Sequence, residues 1–479
     1  MRESWSRPSL CALSAFALSA SGAAQSGDSF LDELFEDTVP IEPENASDDE
    51  FGFYEDGLEA LLGGSSSEGN GAGDFDALTG WTGYLEARPR VFLRDRDQGR
   101  NDQQLLLEGE LELDFRLSDE LTAYVRPRFF LDAFDGDLTR FEPYEAFLTY
   151  RDEDWDLRAG QFVENWGIVD TFNPIDVVNR RDFGTDALDT DRLGELGVRV
   201  RRFFSGGDVI GEPTLSLYAL PVFRETLFPP EEQRFGLGSA FAEGGGFQPN
   251  GIEQALFAVR YQSTLQTPFA NADIQALAAR GPERAPTLFV GGGAQLPAYF
   301  GVATAGAGFR AVPNEEVAGR FLSTLTLKGE FVHKTPYTFD GSPVEAPDEY
   351  FTSVIGVDRS FFGLFTELDQ LTVTVEFAKE TGASDPSALL RPFREDLILR
   401  AFWEANDFAR QSLEVRGLFD LDLNETIVEL LYERQLRSIH PDVRLIVELR
   451  GFDTASFGES FFSLFPNNSS VAVGLRWDF

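Results

Sequence analysis

Arginine and carboxylate side chains carry the chemistry open to this sequence. The stretch GQFVENWGIVDTFNPIDVVNRRD, residues 160–182, contains Asp176 and closes on Arg180, Arg181 and Asp182. Further charges recur at every second residue elsewhere: Glu86, Arg88 and Arg90; Glu108, Glu110, Glu112 and Asp114; Arg126 and Arg128; Arg199 and Arg201, with Arg158 between the last two groups. Guanidinium keeps its charge in any environment and grips a carboxylate as a fork. Such groups bind and steer ions. Catalysis has little to work with. There are two histidines, His333 and His440, far apart, and one cysteine, Cys11. A His/Cys metal site is not expected. No Gly-rich phosphate loop and no G-x-S-x-G elbow occurs. The expectation is therefore no enzyme, no cofactor and no metal. Two acid-rich pieces, Asp132–Asp137 and Asp186–Asp191, either hold calcium through oxygen ligands or stay solvated without an ion.

Charges at alternate positions need strands to carry them. LLLEGELELDFRL, residues 105–117, puts Leu105, Leu107, Leu111, Leu113, Phe115 and Leu117 on one face and acids plus Arg116 on the other. Similar segments are read near 81–92, 105–115, 121–132, 141–151, 155–164, 195–203, 213–222, 253–263 and 272–281. Others follow near 298–310, 320–334, 349–360, 370–380, 395–405, 410–420, 426–437, 443–453 and 469–479. Runs of about 9–11 residues suit a tilted strand crossing a bilayer. Short connections, such as 118–120 and 152–154, alternate with long ones, such as 93–104, 165–194 and 223–252. Short turns on one side and long loops on the other are the habit of an outer-membrane barrel. The fold class expected is an all-β transmembrane antiparallel barrel of about 18 strands, an even number in the range 14–18, preceded by an acidic, mostly disordered extension.

Charges facing lipid cost about 2–4 kcal/mol each for Arg or Lys at the bilayer midplane. The charged phase must then face the lumen, which makes Glu86 to Arg201 in the groups above pore-lining. Those charges either neutralise one another across strands or set up a field across the pore. Residues 165–194 form one of the two longest loops. Asn173 and Pro174 are a good N-cap and first-turn pair, so a short helix is expected after them, with Gly167 allowing a sharp turn behind Trp166. Such a loop is expected to fold inward and narrow the pore, presenting Arg180, Arg181 and Asp182 to it.

The ends fit export. Arg2 and Arg7 precede the apolar run Leu10–Ala20, and Gly22-Ala23-Ala24 resembles a cleavage site, so 1–24 read as a signal peptide. Cys11 falls inside it. Residues 25–80 hold 16 acids and no Lys or Arg; they read as an acidic periplasmic tether with short helices near 29–36 and 51–62, either solvated or docking on a periplasmic partner. Residues 81–479 read as the barrel. The final SSVAVGLRWDF alternates to its last residue, and Gly474, Leu475, Trp477 and Phe479 look like a signal for the barrel-assembly machinery. The whole chain has 81 acidic and 40 basic residues, a formal net charge of −41, which disfavours nucleic acid as a partner. Outer-membrane lipid is the expected surrounding, with the N-terminus periplasmic.

Gly160, Gln161, Trp166, Gly167, Asn173, Pro174, Asp176, Asn179, Arg181 and Asp182 together resemble a motif (G-Q-x-x-x-x-W-G … N-P-x-D) of proteobacterial porin-like outer-membrane barrels of unknown function. The resemblance covers about 25 residues and implies a channel for small solutes, anionic or amphipathic ones among them. Some of those families are similar to outer-membrane partners of RND-type exporters of lipidic molecules. That implies the alternative role, a station in a multi-protein export system.

Overall fold

The computed structural model describes residues 78–93, 102–134, 139–184, 191–228, 247–284, 286–291, 294–343, 345–382, 393–455, 460–465 and 468–479. The chain divides into two units, Met1–Asp74 and Phe75–Phe479. The described residues belong to the second. The expected signal peptide, the tether up to residue 77, residues 135–137 of the first acid-rich piece and 186–190 of the second lie outside them.

The first five strands are β1 (Leu78–Phe92), β2 (Gln103–Arg116), β3 (Leu121–Asp132), β4 (Arg140–Arg151) and β5 (Trp155–Phe162). A short hairpin follows, β6 (Arg180–Asp182) and β7 (Asp191–Leu193). Then come β8 (Glu195–Phe203), β9 (Thr214–Leu220), β10 (Leu256–Gln266) and β11 (Ala270–Pro282). A second short hairpin is β12 (Thr287–Gly291) and β13 (Ala294–Ala298). The rest are β14 (Gly301–Pro313), β15 (Leu325–Tyr337), β16 (Tyr350–Phe362), β17 (Gln370–Thr381) and β18 (Glu395–Glu404). They end with β19 (Ser412–Asp420), β20 (Thr426–Gln435), β21 (Val443–Asp453) and β22 (Ser470–Asp478). Eighteen of these, all but the two short hairpins, form one antiparallel sheet, and β1 pairs with both β2 and β22 to close it.

Alternation does the sorting. Leu85, Leu107, Leu148, Leu217, Ile355, Leu399 and Leu475 are exposed, while Glu110, Arg199, Glu330, Glu376 and Glu448 on the same kinds of strand are buried. The outer surface is thus apolar and the inner one charged. No described helix is long and apolar enough to cross a membrane, which has no bearing on a barrel.

Tight turns sit at the end where β1 begins and β22 ends. Asp152 Oδ1 accepts from the Asp154 and Trp155 amides at 2.9 and 2.8 Å, an Asx-type turn. Ser118 does the same for β2–β3, accepting from Leu121 N at 3.1 Å. The opposite end carries the long connections, including 163–194 and 283–300.

Three boundaries differ from expectation. Strand β1 starts at Leu78, so 78–80 belong to the barrel rather than the tether. Residues 320–324, read as strand, belong to a short helix, Glu315–Leu322, and the turn after it. Glu315 and Glu316 in its first turn favour a helix start. The segments near 272 and 298, rich in alanine and glycine, form the full strands β11 and β14, because their neighbours supply the ladder at every position.

Candidate functional site

Beyond Phe162 the chain leaves β5 and turns onto the inner wall. Glu164 comes first. Its carboxylate accepts from Arg199 NH1 at 2.5 Å and from the Tyr218 hydroxyl at 3.1 Å, and its backbone bonds to the Asn179 side chain. Trp166 is fully buried, with its ring against Tyr218 at 5.1 Å and Arg260 at 5.4 Å. Its carbonyl accepts from Gln275 Nε2 at 2.7 Å.

Gly167 has a role other than the expected turn. Its backbone is not left-handed; instead the Asn173 side chain occupies the place a Cβ would take. The helix expected after Asn173-Pro174 does not form. The Asp176 amide reaches Asn173 O at 3.1 Å, but the Ile175 amide is taken by a wall residue, Glu330. The Val177 amide turns back to Ile175 O at 3.0 Å instead of reaching Asn173 O, so no helical ladder follows the first turn.

Two strand carboxylates hold the segment. Glu330 on β15 accepts from the amides of Ile168, Val169 and Ile175 at 2.5, 3.1 and 3.3 Å. Glu376 on β17 accepts from Asp170 and Thr171 at 2.7 and 3.2 Å. Lys328, one of three lysines in the chain, is buried among Asp170, Asp358 and Glu376 at 2.5, 2.9 and 3.2 Å. Apolar packing completes the anchorage. Trp166, Ile168, Ile175 and Val178 join Tyr218, Leu220, Leu256, Leu277 and Val332, and Val169 packs on Val354 and Ala378. These partners are lumen-facing side chains, so residues 163–178 lie inside the barrel, along strands β9 to β17.

The segment then returns. Asp176 pairs with Arg181 at 3.1 Å and with Arg192. Asp182 pairs with Arg140 on β4. Arg180 turns towards Glu195 at the start of β8, 3.7 Å away. Phe183 packs on Phe228 and Phe461 at 5.7 and 5.4 Å, inside an apolar cluster with Phe92, Ile398, Phe452 and Phe465.

The other arginines named from the sequence are ion-paired along the inner wall. Arg88 meets Glu86 at 2.5 Å, and Arg90 meets Glu448 at 2.9 Å. Arg126 reaches Glu110 at 2.8 Å and Glu112 at 3.6 Å; Arg128 reaches Glu108 at 2.5 Å and Asp191 at 2.7 Å. Arg199 bridges Asp156 and Glu164, Arg158 lies 3.9 Å from Glu164, and Arg201 donates to Ser216 Oγ at 3.2 Å. Acidic β2 is thus paired directly with basic β3, which cancels most of the field that two separated strands would set up. Asp114 accepts through its backbone carbonyl from Thr79 at 3.2 Å. A polar cavity of about 150 Å³ remains between Arg88, Glu108, Arg128, Asp191 and Arg476. At the closure seam, Leu475, Trp477 and Phe479 face outward, with Gly474 between Leu475 and Val473 on β22.

The main holding residues, Glu164, Glu195, Lys328, Glu330 and Glu376, were not singled out from the sequence. A signal existed: Lys328 and Glu330 share the phase of Val332 in a strand whose other face is apolar, and Glu376 interrupts VTVEF in the same way.

Among the described residues no group of three His, Cys, Asp or Glu side chains is placed to hold a metal. No family model matches the sequence, and no curated protein matches it. Solved structures do. Wzi of Escherichia coli, described as a carbohydrate-binding β-barrel involved in capsule assembly, aligns with a TM-score of 0.45 and 12% identity over 83% of this chain and 84% of its own. OccK11 of Pseudomonas aeruginosa aligns at 0.43 and 9% over 83% and 95%. The channel DcaP of Acinetobacter baumannii aligns at 0.39 and 10% over 84% and 96%. Wzi and DcaP are described as outer-membrane proteins; at these values the likeness carries no argument about what this chain does.

Proposed function

We propose that the chain is a porin-like channel of the Gram-negative outer membrane, with residues 165–194 narrowing its lumen. The observation that carries this reading is the segment 163–178 hung on Glu330 and Glu376 inside a closed barrel with an apolar exterior. A loop that only capped the strands would have no reason to spend two buried carboxylates on its backbone. The ion-paired inner wall is polar enough to hold water, and a barrel of this strand number is wide enough for an aqueous path beside the loop. Lipid surrounds the apolar outside. The end bearing β1 and β22 is periplasmic, residues 1–24 direct export, and residues 25–77 extend into the periplasm towards any partner there. The barrel-assembly machinery reads β22 through Gly474, Leu475, Trp477 and Phe479.

The test is current across planar bilayers. Wild-type protein passes small, steady steps. The double variant Glu330→Gln/Glu376→Gln loosens the segment and gives larger, noisier steps. Silence from both proteins sinks the channel reading. Steps of identical size and noise sink the narrowing role.

A further inference from the structure

Beyond the loop's wall contacts lies a cluster that the channel reading does not use. Glu195 is fully buried at the loop end of β8. Three guanidiniums converge on it from three connections. Arg180 Nε is 3.7 Å from its Oε1, Arg284 NH1 is 3.7 Å from the same oxygen, and Arg224 Nε is 3.8 Å from Oε2. A charge-assisted N–H···O bond closes to about 2.7–2.9 Å. These three do not close, and both Glu195 oxygens and all three nitrogens lack a hydrogen-bond partner.

The reason is that each arginine is tied elsewhere. Arg180 NH1 donates to Glu225 O at 3.0 Å. Arg224 NH1 donates to Gln161 Oε1 at 3.2 Å, and its NH2 to Gly194 O. Arg284 NH2 donates to Val178 O at 3.3 Å, with its guanidinium over the Phe223 ring. The forks are therefore fixed in place, and unfilled donors of all three, Arg180 Nε, Arg224 Nε and Arg284 NH1, lie 3.7–3.8 Å from Glu195. The acids that bear on the cluster are Glu195, Glu225 and Glu142, the last also 3.8 Å from Arg140. Burial and the like charge of Arg224 pull the Arg180 pKa below its ordinary value, against the pull of Glu195 and Glu142; guanidinium nevertheless stays charged.

We propose that Arg180, Arg224 and Arg284 form a binding site for a small oxyanion, the carboxylate or phosphate group of a solute, with Glu195 holding the arginines apart while the site is empty. An oxyanion supplies the acceptors the three forks lack. Arg224, whose side chain is 29% exposed, is the side from which a solute arrives. The proposal deepens the channel reading and rests on it for any part in transport, but binding itself is read without current.

The experiment is calorimetric titration of the full chain in detergent with sodium phosphate and, separately, sodium acetate. Ionic strength is matched with sodium chloride. Saturable heat is expected with at least one of the two, which also tells a tetrahedral from a planar preference. Arg224→Gln and Arg284→Gln each weaken it about tenfold or more. Glu195→Gln, which removes the resident negative charge, tightens it. Heat no larger than that of sodium chloride overturns the proposal. So does unchanged affinity in Arg224→Gln, or a loss in Glu195→Gln matching that of the arginine variants, since a purely structural knot behaves in that way. Heat-modifiable migration in gels selects folded variants, and Arg224→Gln, the most exposed change, is the one least dependent on folding. A protein that binds phosphate yet passes no current keeps the site and loses the channel.

Discussion

A carboxyl group offers two oxygens, and Glu330 uses both to collect three backbone amides, Oε1 from Ile168 and Val169 and Oε2 from Ile175. A glutamine there offers one acceptor oxygen and brings an NH₂ that faces N–H groups. A buried donor left without its acceptor costs about 1–3 kcal/mol. Glu330→Gln is therefore expected to speed amide exchange at Ile168, Val169 and Ile175 by about tenfold or more, leaving Asp170 and Thr171 on Glu376 less affected. Unchanged protection at all three would remove Glu330 from its holding role. Gly167 supplies a second test at the same scale. An added methyl meets the Asn173 side chain, so Gly167→Ala should destabilise the segment by about 1–3 kcal/mol. Asn173→Ala in the same chain should recover most of that loss. A double variant no better than the sum of the two singles would show that the two residues do not compete for this space.

Among the elements, the strands were readable and the segments between them were not. LLLEGELELDFRL declares its two faces without help, because in a strand each side chain's direction follows from its position alone. The wall charges on β1, β2 and β3 followed from the same rule. The inner segment obeys no such rule. Its Asn173-Pro174 start signal yields a single turn, and the Ile175 amide meets Glu330, some 155 residues later in sequence; a contact of that kind has no local trace. Glu195 with Arg224 and Arg284 was hidden for the same reason: three connections must first be brought to one end of the barrel. Closure is also an element-scale matter. Phe479 exchanges backbone hydrogen bonds with Gly83, both at 2.9 Å, and its ring lies 5.8 Å from Trp81 and 5.2 Å from Trp477. Phe479→Ala removes the ring contacts and keeps the backbone pair. Slower appearance of the heat-modifiable form during refolding into lipid is expected. Wild-type refolding kinetics would show that the ring has no part in joining β1 to β22.

For the molecule as a whole, the decisive property is that one surface is apolar and the other charged. A charged inner wall is stable only where it is kept from lipid, and an apolar outer wall is stable only where it is kept from water. Depth then becomes measurable. Ile355 lies near the middle of β16, and Phe351, four residues earlier, lies at its loop end. They share one phase of the strand and are 54% and 38% exposed, so neither substitution disturbs the lumen. Arginine on the lipid face costs about 2–4 kcal/mol at the midplane and about 0–1 kcal/mol near the interface. Ile355→Arg should accordingly lower the unfolding free energy in lipid vesicles by the larger amount and Phe351→Arg by the smaller. The size of the apolar side chain lost predicts the reverse order, since phenylalanine is the larger of the two. Equal costs at both positions, or a larger cost at Phe351, would mean that the apolar outer face is not embedded with β16 crossing the bilayer.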